Sequence, residues 1–326
     1  MIRTTLAAIV FATSAQAGVN EALDEVILPG FANFAATATE FAETAQDSCL
    51  PANLVAPFDG LMQAWMRVGD IKMGPSEHGT LSIAFWPDTR GFTPKTLAEL
   101  IADEDPVVDD PADMAELSIA ARGLFALDML LFDPQFAGYE AGGYTCRLVT
   151  ALADDLARQA TALDAAWRTD FADVLRSAGA DGNATYLSPD EATRAIYTQI
   201  LTSLEFTADT RLGRPLGEID RARPARAEAW RSGRSLPNVI AVAQANVAMA
   251  EALAGHDLPQ TQAALDSFLD AASKVTDPGF QDIDDPMNRL LVEITEQRVD
   301  AVRQAIEVEV GAPMGLTPGF NSSDGD

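Results

Sequence analysis

Apolar residues recur along most of this chain at steps of three and four, the spacing that gathers side chains onto one face of an α-helix. Ile27, Phe31, Phe34, Ala38, Phe41 and Ala45 draw a first stripe. Leu54, Phe58, Leu61, Trp65 and Val68 draw a second, and Gly74-Pro75 supplies its stop signal. Leu117, Ala120, Leu124, Leu127 and Leu131 form a third, and a long fourth runs from Val149 through Leu156, Leu163 and Trp167 to Val174. A break follows at Gly179, Gly182 and Asn183, after which Ser188-Pro189-Asp190-Glu191 reads as an N-cap with proline at the first helical position. Further stripes run through Ile196, Ile200 and Leu204, through Val239, Ala243, Val247 and Ala250, through Leu258, Leu265, Leu269 and Ala272, and through Leu291, Ile294, Val302 and Ala305. The pattern predicts an all-α fold of two bundle-like helical halves packed together, residues 18–178 and 183–310.

Two internal stretches break the period. Gly74 to Arg90 contains Leu81-Ser82-Ile83-Ala84-Phe85-Trp86-Pro87-Asp88, expected as an extended or turned segment. Arg211 to Arg234, with Gly213, Pro215, Gly217 and Pro224, reads as a long connection, and long connections inside compact folds often carry function. At the start, Arg3, the uncharged apolar run from Leu6 to Thr13 and Ala15-Gln16-Ala17 have the layout of a signal peptide over residues 1–17. The expectation is therefore an exported, periplasmic protein that is soluble after cleavage. Residues 311–326, with proline, glycine and Ser-Ser-Asp-Gly-Asp, are expected as a disordered tail. No other segment is expected to cross a membrane.

Composition narrows the chemistry. Twenty-two basic residues stand against 49 acidic ones, for a net charge of −27, a field that opposes nucleic acid and anionic lipid. The two cysteines, Cys49 and Cys146, would form one disulfide in an oxidising compartment. There is no H-E-x-x-H, P-loop, G-x-S-x-G or dinucleotide-type glycine motif. With His78 and His256 as the only histidines, a multi-histidine metal site cannot be assembled within one chain.

Two local arrangements could carry a site. Phe125 and Asp128 stand three residues apart on the third stripe, so they share a helix face, and Asp128 beside the leucines should be buried and in need of a partner. Gly123, placed inside that stripe, would let another backbone or a ligand approach closely. The second arrangement is basic: Arg211, Arg214, Arg221, Arg223, Arg226, Arg231 and Arg234 fall in one stretch of a very acidic chain. Arginine suits bidentate pairing with carboxylates or phosphates, so these residues either neutralise acidic faces between the halves or bind an anion.

Taken in order, Leu28-Pro29-Gly30-Phe31, Gly74-Pro75, Phe85-Trp86-Pro87-Asp88, Arg122-Gly123, Leu130-Leu131-Phe132, Arg211-Leu212-Gly213-Arg214-Pro215-Leu216-Gly217 and Ala227-Glu228-Ala229-Trp230-Arg231-Ser232-Gly233-Arg234-Ser235-Leu236 resemble the imelysin-like proteins, relatives of the insulin-cleaving membrane protease. The resemblance implies an envelope protein with a site between two helical halves and a link to iron acquisition. The family signature is G-x-H-x-x-E; here Gly123 keeps the glycine, while Phe125 and Asp128 replace the histidine and glutamate. Phenylalanine ligates no metal, which leaves the single carboxylate of Asp128 as the one candidate ligand for iron or another cation. The expected ligand residues are Trp86, Arg122, Asp128, Glu228, Arg231 and Ser232. Trp86 would form an apolar wall, Arg231 and Ser232 would hold anionic oxygen, and Asp128 would orient the arginine or touch a cation. The ligand could be an iron complex, a peptide or a protein surface. A metal-dependent peptidase and an envelope scaffold without a small-molecule site are the alternatives.

Overall fold

The helices stand where the apolar stripes lie. The computed structural model describes residues 18–316, so the expected signal peptide, and the expected tail from residue 317 onward, lie outside the described residues. The longer helices are α1 (Leu28–Asp47), α2 (Pro51–Met66), α3 (Phe92–Asp103), α4 (Gly123–Phe132), α5 (Tyr144–Ala166), α6 (Pro189–Phe206), α7 (Ser235–Ala254), α8 (Pro259–Ala272) and α9 (Pro286–Ile306). Among the described residues there is no β-strand, and the one β-bridge, Glu218 to Arg221, is isolated.

Sequence sets the ends. Proline stands in the first turn of α1, α2, α6, α8 and α9, where its missing N–H breaks no helical bond. Ser188 caps α6 through its Oγ, which accepts from Glu191 N at 3.3 Å, as its motif predicts. Four π-helical turns adjoin long helices: Ala22–Ile27 before α1, Trp167–Phe171 after α5, Thr207–Leu212 after α6 and Glu307–Gly311 after α9.

Two bundle-like halves result. In the first, α1 lies along α2 and α5, and α4 packs on both α2 and α5. In the second, α9 packs on α6, α7 and α8. Helix α7 joins them by also packing on α2 and on the Ala22–Ile27 turn, so a single apolar core runs through both halves. By length and composition α7 could cross a membrane, but 67% of its apolar window is buried inside the fold, as befits a central core helix. The Cys49–Cys146 disulfide is present and fastens the end of α1 to the start of α5, its Cα atoms 5.3 Å apart.

Several expectations need correction. The third stripe is not one helix. It divides into short turns at Pro111–Glu116 and Ile119–Ala121 and then α4, because Leu117 and Arg122 adopt extended backbone. Gly123 therefore opens α4 instead of interrupting it. Its φ is +71°, and a Cβ there would lie 2.1 Å from the Ile83 carbonyl oxygen. Only glycine fits so close, and the approach lets Leu124 N donate to Ile83 O at 2.8 Å. On α9 the buried face is Val292, Thr295, Val299, Val302 and Ile306, one residue off the expected stripe, with Leu291 and Ile294 at its margin. Helix α3 was not foreseen. Arg211 and Arg214 sit on helical backbone, in the π-turn and in Gly213–Leu216, and the open connection starts at Gly217. The first residues of the expected tail are ordered: Ala312–Met314 is helical and Leu316 is buried.

Candidate functional site

A cleft of about 470 Å³ opens between the halves. The first half contributes the non-helical segment around Trp86, the start of α3 and Phe125, Asp128 and Met129 of α4; the second contributes Arg214 and the loop from Ala225 to Arg231. The expected grouping of Trp86, Asp128 and Arg231 in one interdomain pocket is therefore present.

Its apolar side is aromatic. Trp86 stacks against Phe125 of α4, with ring centroids 6.3 Å apart and planes 28° apart, and meets Phe206 edge-on at 6.1 Å. Trp230 lies on the opposite loop, and the Arg231 guanidinium covers its ring at 4.4 Å from the centroid. Phe125, which the sequence marked as sharing a helix face with Asp128 and as unable to bind metal, thus has a constructive place as part of this wall.

Asp128 sits on the same face of α4 and is 3% exposed. Its Oδ1 is buried with no hydrogen-bond partner. Burial raises its pKa to about 6; the Ser232 hydroxyl and the Arg231 charge pull it back in part, while Asp133 and Glu228 push it further up. Arg231 does not pair with Asp128. Its Nε donates instead to Asp133 Oδ2, just beyond the end of α4. Ser232 Oγ donates to Ala229 O at 3.0 Å, and Ser232 stands beside the Asp128 carboxyl behind the cleft wall.

Three of the expected ligand residues, Arg122, Glu228 and Ser232, do not line the cleft. Arg122 is held by Asp155 of α5: its Nε donates to Oδ2 at 2.9 Å and its Nη2 to Oδ1 at 3.0 Å, with both side chains buried. Its Nη1 donates to Ala115 O at 2.5 Å, so it fastens the turns before α4 to α5. Glu228 faces inward, accepting from Arg211 Nε at 3.1 Å and from Asn238 Nδ2 at 3.0 Å.

The arginine-rich stretch divides into two groups. Arg211, Arg231 and Arg234 each reach across to an acid of the first half, namely Asp70, Asp133 and Asp59. They clamp the halves together, as the neutralising reading anticipated. Arg214 and Arg226 line the cleft and form no ion pair among the described residues; Arg214 Nε is buried without an acceptor. Burial lowers the pKa of Arg214, and the Arg226 charge lowers it further. These two arginines and Trp230 were not among the expected ligand residues. The basic run had marked the arginines as a group, but the acids that claim the others lie far away in sequence.

A metal ion fits poorly. Phe125 offers no donor atom, burial raises the pKa of Asp128 to about 6, and three guanidiniums line the same space. Among the described residues no three His, Cys, Asp or Glu side chains cluster closely enough to hold a cation.

The family described as Imelysin, peptidase M75, matches residues 27–308. The fold is similar to that of an imelysin-like protein from Psychrobacter arcticum 273-4, with a TM-score of 0.78 at 15% identity over 97% of this chain and 100% of that one. It is also similar to a protein from Parabacteroides distasonis ATCC 8503 described as a candidate iron-regulated protein A precursor, with a TM-score of 0.72 at 13% identity over 93% and 96% of the two chains. No curated protein matches the sequence.

Proposed function

The chain belongs to the imelysin family, and we propose that within it this protein acts as a non-catalytic binding protein of the periplasm that takes a ligand into the cleft between its halves. The observation that carries this reading is the pairing of a preformed aromatic wall with two arginines that form no ion pair among the described residues. A structural protein gains nothing from a buried Arg214 Nε without an acceptor, whereas a binding site holds such a group in readiness for a ligand that completes it. The side chains needed for metal-dependent peptide cleavage are missing from the helix where the family carries them, which disfavours the peptidase alternative.

One structural neighbour has iron regulation in its description. If iron is the cargo here, the basic cleft suits an anionic iron complex better than a bare cation. The test is native mass spectrometry of full-length protein recovered from the periplasm without chelators. The expected result is a non-covalent adduct that is lost when Trp86 and Trp230 are replaced together by alanine. A protein that carries no adduct, and whose tryptophan fluorescence answers to no small molecule, would favour the scaffold alternative.

A further inference from the structure

The Arg214–Arg226 pair, which that reading uses only as charge without a partner, also bears on the chemistry of the ligand. In a chain of net charge −27, arginine is normally matched by acid, and here three arginines of the same stretch are matched across the cleft. Arg214 and Arg226 line the cleft together, Arg226 exposed and Arg214 with a buried Nε that has no acceptor, and neither forms an ion pair among the described residues. Of the acids in the cleft, Asp88 is occupied: its carboxylate accepts from Thr93 N at 2.8 Å and Arg90 N at 3.2 Å. Asp133, which does not line the cleft, is taken by Arg231. Asp128 is set back on α4, almost fully buried, with an oxygen that finds no donor.

We infer that Arg214 and Arg226 form the oxyanion seat of the cleft, and that the ligand is a ring-bearing anion, its phosphate, sulfonate or carboxylate on the two guanidiniums and its flat apolar part between Trp86 and Trp230. Planar guanidiniums present paired donors that match such oxyanions. The aromatic walls supply rigid faces for a ring at little entropic cost. The inference rests on the cleft-binding reading and narrows it to one ligand class.

The experiment uses phenyl phosphate and benzene-1,3-disulfonate as probes, with inorganic phosphate and neutral benzamide as comparators, titrated calorimetrically into the full chain. Trp86 and Trp230 fluorescence reports cleft occupancy independently of charge, since Trp65 and Trp167 are buried elsewhere. Both aromatic anions should bind saturably and weaken as salt rises. Arg214→Gln and Arg226→Gln should each weaken them about tenfold, the effect of one charge-assisted hydrogen-bonding group. Inorganic phosphate and benzamide should each bind at least about tenfold more weakly than phenyl phosphate. Neither arginine holds an ion pair, so both variants should melt like the parent; should one fail to fold, Arg214→Lys and Arg226→Lys keep the charge and lose only the fork. Benzamide binding as tightly as the anions, or glutamine variants that bind like the parent, would overturn the anion seat and leave the cleft reading intact. Probes that neither bind nor quench fluorescence would overturn the anion class, and the adduct experiment would then decide the cleft reading alone.

Discussion

Arg211 grips Asp70 with both terminal nitrogens, each 2.8 Å from one carboxylate oxygen, and so ties the π-turn after α6 to the loop after α2. Its Nε reaches Glu228 as well, at 3.1 Å. Burial alone would raise the pKa of Asp70, but the guanidinium and the Ser203 hydroxyl hold it below the usual carboxylate range. The contact joins the two halves where Arg211 and Glu228 are buried and Asp70 is largely so.

Arg211→Ala should therefore cost about 3–5 kcal/mol, because it leaves Asp70 and Glu228 buried without their cation. Arg211→Lys should recover little, since an ammonium cannot span both carboxylate oxygens and Glu228 together. Arg223 forms no ion pair among the described residues, and Arg223→Ala should change stability by less than about 0.5 kcal/mol. Urea unfolding of the three variants checks the ranking; an Arg211→Ala midpoint equal to that of Arg223→Ala would contradict it.

The disulfide should supply a comparable share of stability by a different route. Cys49 and Cys146 are separated by 97 residues, and closing a loop of that length removes entropy from the unfolded chain worth about 4–5 kcal/mol. Reduced protein should unfold at distinctly lower denaturant. Intact mass after alkylation without reductant should show no modified thiol in protein recovered from the cell envelope. Two freely alkylated cysteines would contradict the bond.

Periodicity made the fold readable because the helices are amphipathic: Phe31, Phe34, Phe41, Leu54, Phe58 and Leu61 are all fully buried where their spacing puts them. It failed where backbone geometry decides. The break at Leu117–Arg122 leaves no gap in the apolar spacing, and the φ of Gly123 is dictated by Ile83, forty residues away. The site was legible in part. Trp86, Asp128 and Arg231 could be placed because one came from a non-helical aromatic segment, one from a leucine face and one from a basic loop. Arg122 and Glu228 could not be assigned, since their inward engagement depends on Asp155 and Arg211, which are remote or carry no local mark. Which arginines stay free is likewise fixed by the packing of α2 and α4, which delivers Asp59 and Asp133 to two of the others.

Metal should not support this fold. The full-length protein, purified without tags or chelators, should carry zinc at far below one equivalent, and excess EDTA should leave its melting temperature unchanged. It should not degrade unfolded protein substrates. The reason is local: Phe125 occupies the position where a nitrogen ligand would be needed, and Asp128 stands alone beside it. Chelator-sensitive cleavage that disappears in Asp128→Ala would overturn this expectation.

Asp128 should make stability depend on pH in a direction opposite to that of most carboxylates. Its folded-state pKa, about 6, lies above the ordinary 3.8, and burial is the main cause. The native state therefore holds the proton more tightly than the unfolded chain does. Stability from this group is fully present below about pH 4 and is lost as pH rises through 6. A shift of roughly two units corresponds to about 3 kcal/mol at most. Asp128→Asn keeps the shape and removes the charge, so it should match the parent near pH 4 and exceed its stability by up to that amount near pH 8. Arg231, Asp133 and Glu228 surround the carboxyl in both proteins, so their own titration largely cancels in the difference. Denaturant unfolding at pH 4, 6 and 8 measures that difference directly. A gap between the two proteins that stays constant across the range would show that Asp128 keeps an ordinary carboxylate pKa, stabilised by a partner its buried Oδ1 does not have in this structure.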